Sequence, residues 1–282
     1  MPNKIHVNKL TESVRHMVME CNYTLSPDVK EKLNDFYKRE DWPLAKELLA
    51  QIIENSDIAH RDQVPICQDT GLVVVFLEVG QEVQLVGGNL TDAINEGVRQ
   101  GYAQGFLRKS VVEDPINRIN TGDNTPAVIH TEIVEGDKVK VTVAPKGFGS
   151  ENMSKVKMLK PADGKEGVVD FILETITTAG GNPCPPIVVG VGIGGTMEKA
   201  AILSKKAAVR SLDKRNDNKY YKELEEELLT KINNLGIGPQ GFGGGTTALA
   251  VNVEYYPTHI AGLPVAVNIN CHVTRHLSKI ID

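Results

Sequence analysis

The segment Gly71-Leu72-Val73-Val74-Val75-Phe76-Leu77-Glu78-Val79 is a dense run of β-branched and apolar residues. Such a run predicts a buried strand. Working outward along the chain, the same reasoning predicts further strands at residues 128–135, 138–144, 187–193, 246–256 and 265–270. The strands at 128–135 and 138–144 are joined across Gly136-Asp137, which predicts an antiparallel hairpin.

Helical periodicity occupies the stretches between these strands. Residues 8–60 read as a series of helices, and Ser26-Pro27 supplies a candidate cap and a first-turn proline for one of them. Further helices are predicted at residues 89–102, 164–179, 196–210 and 220–235. Because helices and strands do not alternate strictly, we predict an α+β fold with a mixed sheet, hairpins and packed helices. We expect one domain over residues 1–282, with a helical N-terminal layer at 1–60 and an α/β body at 61–282.

Composition restricts the class of protein. The chain has 282 residues, of which 41% are hydrophobic and 24% charged, and its formal net charge is −5. A mildly acidic chain gains nothing from the field of a polyanion, so nucleic acid is not an expected partner. No apolar stretch approaches the roughly 20 residues of a membrane helix, and the N-terminus lacks the apolar segment of a signal peptide. We therefore expect a soluble, cytoplasmic protein.

Four cysteines in a chain of this length do not form a disulfide scaffold. Cys21 lies in a helical run with apolar neighbours and reads as a buried core residue. Cys67, Cys184 and Cys271 lie instead at strand ends or in turns fixed by proline and glycine, where thiols can face a shared cleft. No C-x-x-C pair is present, which argues against a zinc ribbon or thioredoxin-type site. An iron–sulfur cluster, a thiolate-rich zinc site and three unrelated loop cysteines remain open.

The segment Gly190-Val191-Gly192-Ile193-Gly194-Gly195 matches G-x-G-x-x-G between a predicted strand and a predicted helix. That context is required for a dinucleotide-binding turn, so a nicotinamide-dependent oxidoreductase is the alternative from another class. Two features oppose it. The helix leads into the polar segment 213–217 rather than a second apolar strand, and no acidic residue follows at a strand end where a ribose would need it.

Several motifs resemble the class I fumarase family, the iron–sulfur hydro-lyases that also include L-tartrate dehydratase. The motifs are Ile66-Cys67-Gln68-Asp69-Thr70-Gly71, Lys146-Gly147-Phe148-Gly149-Ser150-Glu151-Asn152, Asn182-Pro183-Cys184-Pro185-Pro186, the 190–195 segment and Ile237-Gly238-Pro239-Gln240-Gly241. The likeness runs in order from about residue 10 to residue 282. It covers only the α region of the family, whose β region is a separate polypeptide in two-subunit members.

The resemblance implies a role for each matching position. Cys67, Cys184 and Cys271 match the three ligands of a [4Fe–4S] cluster. Gln68 and Asp69 match residues at the substrate, and Arg108 matches an arginine that grips a substrate carboxylate. Gly149 and Asn152 fall in a glycine-rich loop that lines the site, and His259 matches an active-site histidine, so the implied catalytic residues are Asp69 and His259. Phe148 replaces a glycine that many family members have.

The resemblance also implies the reaction and the partner. With three cysteine ligands, one iron keeps an open position and can act as a Lewis acid on a hydroxyl or carboxylate. The carbanion that develops needs cations, and Arg108 and Lys155 are the best candidates in this chain. We therefore expect a hetero-oligomer with a β subunit and a small dicarboxylate substrate. The sequence of residues 149–152 favours fumarate and malate, with L-tartrate or a related hydroxy-diacid as the alternative.

Overall fold

A computed structural model describes residues 3–282, and these divide into two compact units. Unit 1 comprises residues 3–26, 56–148 and 275–282, and unit 2 comprises residues 27–55 and 149–274. In chain order the elements are β1 (Asn3–His6), α1 (Val7–Tyr23), α2 (Pro27–Arg39), α3 (Pro43–Asp62), β2 (Leu72–Gly80), β3 (Val83–Val86), α4 (Leu90–Gln104), β4 (Val128–Val134), β5 (Val139–Lys146), α5 (Phe148–Glu151), β6 (Lys155–Leu159), α6 (Gly164–Ala179), β7 (Ile187–Gly194), α7 (Met197–Ala208), α8 (Lys219–Asn233), β8 (Ala248–Tyr256), β9 (Leu263–Asn270) and β10 (Leu277–Ile281).

Unit 1 is built on a four-stranded mixed sheet in the order β10-β5-β2-β4. β2 pairs in parallel with β4 and antiparallel with β5, and β10 pairs antiparallel with β5. Alternate residues of β2, from Val73 to Val79, pack on buried residues of α1 and α4 such as Val14 and Val98. A short parallel pair, β1 with β3, completes the unit.

Unit 2 has a second four-stranded sheet in the order β6-β9-β7-β8. β7 is buried at every position, runs parallel to β8 and antiparallel to β9, and β6 pairs antiparallel with β9. Residues such as Val189 and Val191 on one face of β7 form a core with α6 and α8. The glycines on the other face, Gly190 and Gly192, lie against α7.

The α+β fold class is confirmed, but the predicted hairpin at Gly136-Asp137 is wrong. β4 and β5 do not pair, because β2 lies between them. The connection from β4 to β5 crosses the end of β2, where the amide of Gly80 donates to the carbonyl of Lys138 at 2.8 Å. β2 is buried on both faces and pairs with a strand on each side, β4 and β5. β4 itself is largely exposed. Burial of the most apolar strand therefore overrides the local turn signal.

The two units share one strand order, which sequence inspection does not reveal. In each unit a central strand is followed by a helical crossover to a parallel neighbour and then by an antiparallel strand on its other side. Thus β2, β4 and β5 correspond to β7, β8 and β9, and the outer strands β10 and β6 also correspond. Cys67 and Cys184 each lie shortly before the central strand of their own unit.

Smaller predictions have mixed outcomes. The helices predicted over residues 8–60 are present as α1, α2 and α3. Ser26 stands directly before α2, but its hydroxyl is buried with no hydrogen-bond partner among residues 3–282, so the predicted side-chain cap is wrong. Among the described residues no helix is both long and apolar enough to cross a membrane.

The glycines of the G-x-G-x-x-G match have a packing role. Gly190 and Gly192 lie inside β7 rather than in the turn after it. A Cβ atom at Gly190 would lie 2.1 Å from the carbonyl oxygen of Ser204, and one at Gly192 would lie 2.0 Å from that of Ala200. A dinucleotide fingerprint needs its glycines in the strand-to-helix turn. The motif is therefore explained by close contact between α7 and β7, without a nucleotide.

Gly192→Ala is expected to lower the free energy of unfolding by about 1–3 kcal/mol, or more, because the added methyl forces α7 away from β7. The measurement is urea denaturation followed by circular dichroism. Gly262→Ala is the matched control, since its Cβ would find no neighbour closer than 3.9 Å. Equal stability of the two variants would contradict the packing role of Gly192.

Candidate active site

The segment that carries Cys67 is held by buried groups of unit 1. The amide of Ile66 donates to the carbonyl of Asn22 at 2.9 Å. The buried hydroxyl of Tyr102 donates to the carbonyls of Thr70 and Gly71 at 2.7 and 2.8 Å, and desolvation raises the pKa of this phenol. Cys67 is half-buried between these anchors. The thiol therefore lies on a fixed turn directly before β2, as the sequence predicted.

Asp69 uses both carboxylate oxygens within unit 1. Oδ1 accepts from the amide of Gly71 at 2.9 Å, and Oδ2 accepts from the amide of Phe148 at 2.9 Å. Gln68 is exposed, with its Oε1 3.4 Å from the Cys67 thiol. The carboxylate thus ties the Cys67 segment to the residues that follow β5, which is a structural role in addition to the predicted catalytic one.

Arg108 lies beside the same segment and is exposed. The hydroxyl of Thr70 donates to the carbonyl of Arg108 at 3.0 Å. Buried Asn124 accepts from the amide of Ser110 at 2.7 Å and donates to the carbonyl of Gly71 at 3.2 Å. The backbone around Arg108 is therefore attached to the Cys67 segment, while its guanidinium is accessible to an anion.

Arg275 was not assigned a role from the sequence, yet it is a buried cation of this region. It is 4% exposed, and Nη1 donates to Asn22 Oδ1 at 2.8 Å and to the Asp69 carbonyl at 2.6 Å. The sequence gives one signal, since His272, Arg275 and His276 are clustered after Cys271. Nothing in the sequence alone distinguishes a buried arginine from a solvated one.

In unit 2, Cys184 and Cys271 lie at the same end of the sheet. Cys184 precedes β7 and Cys271 follows β9, and these two strands are antiparallel neighbours. His272 is the residue after Cys271. Its backbone nitrogen lies 3.4 Å from the carbonyl oxygen of Cys184, and its ring Nδ1 lies 2.9 Å from the same oxygen. Cys184 is exposed and Cys271 is half-buried. Two of the three predicted ligands are therefore brought together within one unit.

The turn that carries Cys184 has an unusual backbone. Cys184 has a φ of 54°, in the left-handed region that costs a residue with a Cβ about 1–2 kcal/mol. Gln240 holds the next residue, because its amide and its Nε2 both donate to the carbonyl of Pro185, at 2.8 and 2.9 Å. A strained residue held by several hydrogen bonds is typical of functional sites.

The glycine-rich loop after β5 also belongs largely to unit 2. Gly149 and Asn152 are both exposed. The neighbouring Glu151 accepts from Nδ2 of Asn268 at 2.9 Å and pairs with Lys205. Ser154 accepts from the amide of Ile269 at 3.2 Å, so this loop is fixed on β9. Gly149 and Asn152 thus remain accessible on a loop that is held in place.

His259 lies at the other end of the same sheet. It is exposed in the connection before β9, where it lines a cavity of about 530 Å³ with residues that include Gly195, Thr196 and Tyr256. Cys271 follows the end of β9, and a strand of 8 residues is about 25 Å long. The structure therefore does not bring His259 together with Cys184 and Cys271.

The four cysteines differ in how accessible their thiols are. Cys21 is buried, and desolvation raises the pKa of its thiol to about 12, so it is the core residue that the sequence predicted. The other three cysteines are exposed or half-buried, and none of the four, all within residues 3–282, forms a disulfide. No three His, Cys, Asp or Glu side chains of the described chain gather into a group that could hold a metal ion. The three-cysteine ligand set stays a prediction, supported by the soft-donor chemistry of accessible thiols.

Comparison with known proteins extends these observations. A sequence profile described as "Fumarate hydratase (Fumerase)" matches residues 11–279. A Methanocaldococcus jannaschii protein named "Putative L(+)-tartrate dehydratase subunit alpha" is 45% identical over 278 residues, 96% of this chain and 97% of that protein. The "L(+)-tartrate dehydratase subunit alpha" of Escherichia coli K12 is 35% identical over 272 residues, 95% of this chain and 89% of that protein. The protein of the same name from Shigella boydii gives the same values.

Proposed function

Because the chain belongs to the fumarate hydratase (Fumerase) family, we propose that it is the cluster-carrying α subunit of a hydro-lyase acting on a small hydroxy-dicarboxylate. The observation that carries this proposal is the turn of Cys184. Its thiol is exposed, its backbone is strained, and its carbonyl is bound by the residue that follows Cys271. This arrangement suits a ligand position better than a packing position.

The ligands of the proposed [4Fe–4S] cluster are Cys67, Cys184 and Cys271. When bound, such a cluster with three protein ligands supplies a Lewis-acidic iron. Arg108 binds a substrate carboxylate, since its guanidinium is exposed and can form paired hydrogen bonds with two carboxylate oxygens. Gln68 and Asp69 orient the substrate beside Cys67, and exposed Asn152 on the loop after Gly149 offers a further amide donor.

The catalytic role of His259 stays a prediction. Within one chain, His259 and Cys271 lie at opposite ends of β9. Asp69 is the acid–base candidate that this chain can offer near Cys67. Its two carboxylate oxygens accept hydrogen bonds from the amides of Gly71 and Phe148, which hold the carboxylate in one orientation.

Two substrates are supported by different observations. The segment Gly149-Ser150-Glu151-Asn152 resembles fumarases more than tartrate dehydratases, and this resemblance favours fumarate and malate. The names of the relatives favour L(+)-tartrate. Both substrates present two carboxylates and lose or gain water at neighbouring carbons. A [4Fe–4S] hydro-lyase with one substrate-gripping arginine in this chain can accommodate either of them.

The proposed partner is a β subunit, in a hetero-oligomer. The relatives are named as α subunits. A dicarboxylate that develops a carbanion needs several fixed cations. Arg108 is exposed, but Arg275 is buried with Nη1 committed to two protein acceptors. Further arginine and lysine groups from a partner would complete the charge balance.

The test is anaerobic reconstitution of the chain with iron and sulfide, with and without its partner subunit. The chain alone is expected to bind iron but to have little or no hydro-lyase activity, and the complex to dehydrate malate faster than L-tartrate. Visible absorption, iron content and kcat/KM for both substrates are the measurements. Full activity of the chain alone would contradict the need for a β subunit. A higher kcat/KM for L-tartrate than for malate would identify L-tartrate as the substrate instead of malate.

A further inference from the structure

Arg275 is more buried than its hydrogen bonds explain. It is 96% buried, and within residues 3–282 its hydrogen bonds go to an amide oxygen and a backbone carbonyl rather than to a carboxylate. Its Nε is buried without a hydrogen-bond partner in this part of the chain. A buried cation with an orphan donor costs free energy, so stability alone does not account for an arginine here. The explanation must come from what its two hydrogen bonds hold.

Those two bonds connect the residues on either side of Cys67. Nη1 of Arg275 donates to Asn22 Oδ1 at 2.8 Å and to the Asp69 carbonyl at 2.6 Å. Asn22 in turn accepts from the amide of Ile66 through its backbone carbonyl. Arg275 and Asn22 therefore anchor residues 66 and 69, and the Cys67-Gln68 pair is held between these two anchors.

Gly147 borders both the guanidinium of Arg275 and the carboxylate of Asp69. A Cβ atom at Gly147 would lie 3.2 Å from Asp69 Oδ2 and 3.4 Å from Arg275 Nη2. Asp69 Oδ2 also accepts from the amide of Phe148, the next residue. The backbone at 147–148 thus borders both the carboxylate and the guanidinium, which leaves the Asp69 side chain little room to change its orientation.

We propose that Arg275 is a positioning residue that fixes the Asp69 backbone, and through it the orientation of the Gln68 and Asp69 side chains that face the substrate. The inference rests on the proposed function for its kinetic consequence. Its geometric consequence, a rigid segment from Ile66 to Gly71, does not depend on which reaction the protein catalyses.

The kinetic test compares Arg275→Met and Arg275→Lys in the reconstituted complex with the partner subunit. Arg275→Met is expected to lower kcat by about 10²-fold and to change KM by less than about threefold, because a displaced acid–base group slows the reaction more than it weakens binding. Arg275→Lys should recover about tenfold of that loss, since an ammonium can reach one of the two acceptors. Iron content should stay at the wild-type level in both variants.

The second test is amide hydrogen exchange of the isolated chain. Arg275→Met should raise the exchange rates of the Gly71 and Phe148 amides, which donate to Asp69, by at least about tenfold. The matched control is Arg210→Lys. Arg210 is a half-buried arginine of unit 2 whose side chain is 13% exposed and pairs with Glu225 and Glu254. This control should lower the melting temperature without changing exchange at residues 66–71 or kcat.

The outcomes separate the two proposals. Unchanged exchange at Gly71 and Phe148 in Arg275→Met would overturn the positioning role, as would a kcat within threefold of wild type in an active complex. An inactive wild-type complex with the expected change in exchange would overturn the proposed function and leave the positioning role supported. If Arg210→Lys lowered kcat as much as Arg275→Met, both arginines would act through general stability, and this result would also overturn the proposal.

Discussion

Replacing Cys184 with glycine is expected to abolish iron binding while making the iron-free protein more stable than the corresponding alanine variant. Substitutions outside the ligand set of metal proteins cost 10–100-fold in affinity or activity, so loss of a ligand should lower activity by more than about 100-fold. The stability difference arises because φ at Cys184 is 54°. Glycine adopts that conformation without strain, whereas alanine keeps the strain. The free energy of unfolding of the two variants is expected to differ by about 1 kcal/mol.

The measurements are iron content after anaerobic reconstitution, hydro-lyase activity with the partner subunit, and urea denaturation of the iron-free variants. Cys21→Ala is the control, because Cys21 is buried in α1 and should be dispensable for iron binding. Retention of iron by Cys184→Gly would exclude Cys184 as a ligand. An alanine variant as stable as the glycine variant would show that the left-handed backbone at this position carries no strain.

Asp69→Asn is expected to have the second-largest effect, and it should act on stability and turnover at once. One of the two carboxylate oxygens becomes an amide donor that faces a backbone N–H of Gly71 or Phe148. Leaving such a group unsatisfied costs about 1–3 kcal/mol. If Asp69 also transfers a proton, turnover should fall by about 10²-fold or more, because an amide cannot accept that proton.

Asp114→Asn is the control that separates these effects. Asp114 is exposed, and its Oδ1 accepts from the amides of Ile116 and Asn117 at 2.8 and 2.6 Å, so it resembles Asp69 in hydrogen bonding but not in position. Urea denaturation and kcat are measured for both variants. A normal kcat in Asp69→Asn, corrected for the folded fraction, would remove Asp69 from the chemistry and leave it a structural role.

The six strands of seven or more residues and the long helices could be predicted because their signals are local, whereas the short strands β1, β3, β6 and β10 were not predicted. The β-branched run at β2 and the helical period of α6 depend on neighbouring residues, and both elements formed where expected. Strand pairing could not be predicted in the same way. The Gly136-Asp137 turn favours a hairpin, but burying both faces of β2 outweighs it, and that comparison involves residues distant in sequence.

In the candidate site, too, residues placed by local sequence were predicted, and a residue placed by distant contacts was not. The positions of Cys67, Cys184 and Cys271 at strand ends followed from local sequence and are confirmed. Arg275 was missed because its importance depends on burial against Asn22 and Asp69, which lie far from it in the chain. The glycines at 190 and 192 match the pattern of a nucleotide-binding turn, which was the alternative, because the sequence does not distinguish a glycine that lets a helix pack closely from one that lets a phosphate bind.

The shared strand order of the two units has a consequence for folding kinetics. Each central strand pairs only with strands that are synthesised much later, as in the pairs Val75 with Val143 and Gly190 with Asn268. Such topologies have a high contact order, since loop closure must be completed before the pairing is gained, and they fold slowly. During synthesis, β2 and β7 therefore remain unpaired apolar segments until their neighbours emerge. Newly made chains consequently pass through an aggregation-prone stage twice, once for each unit.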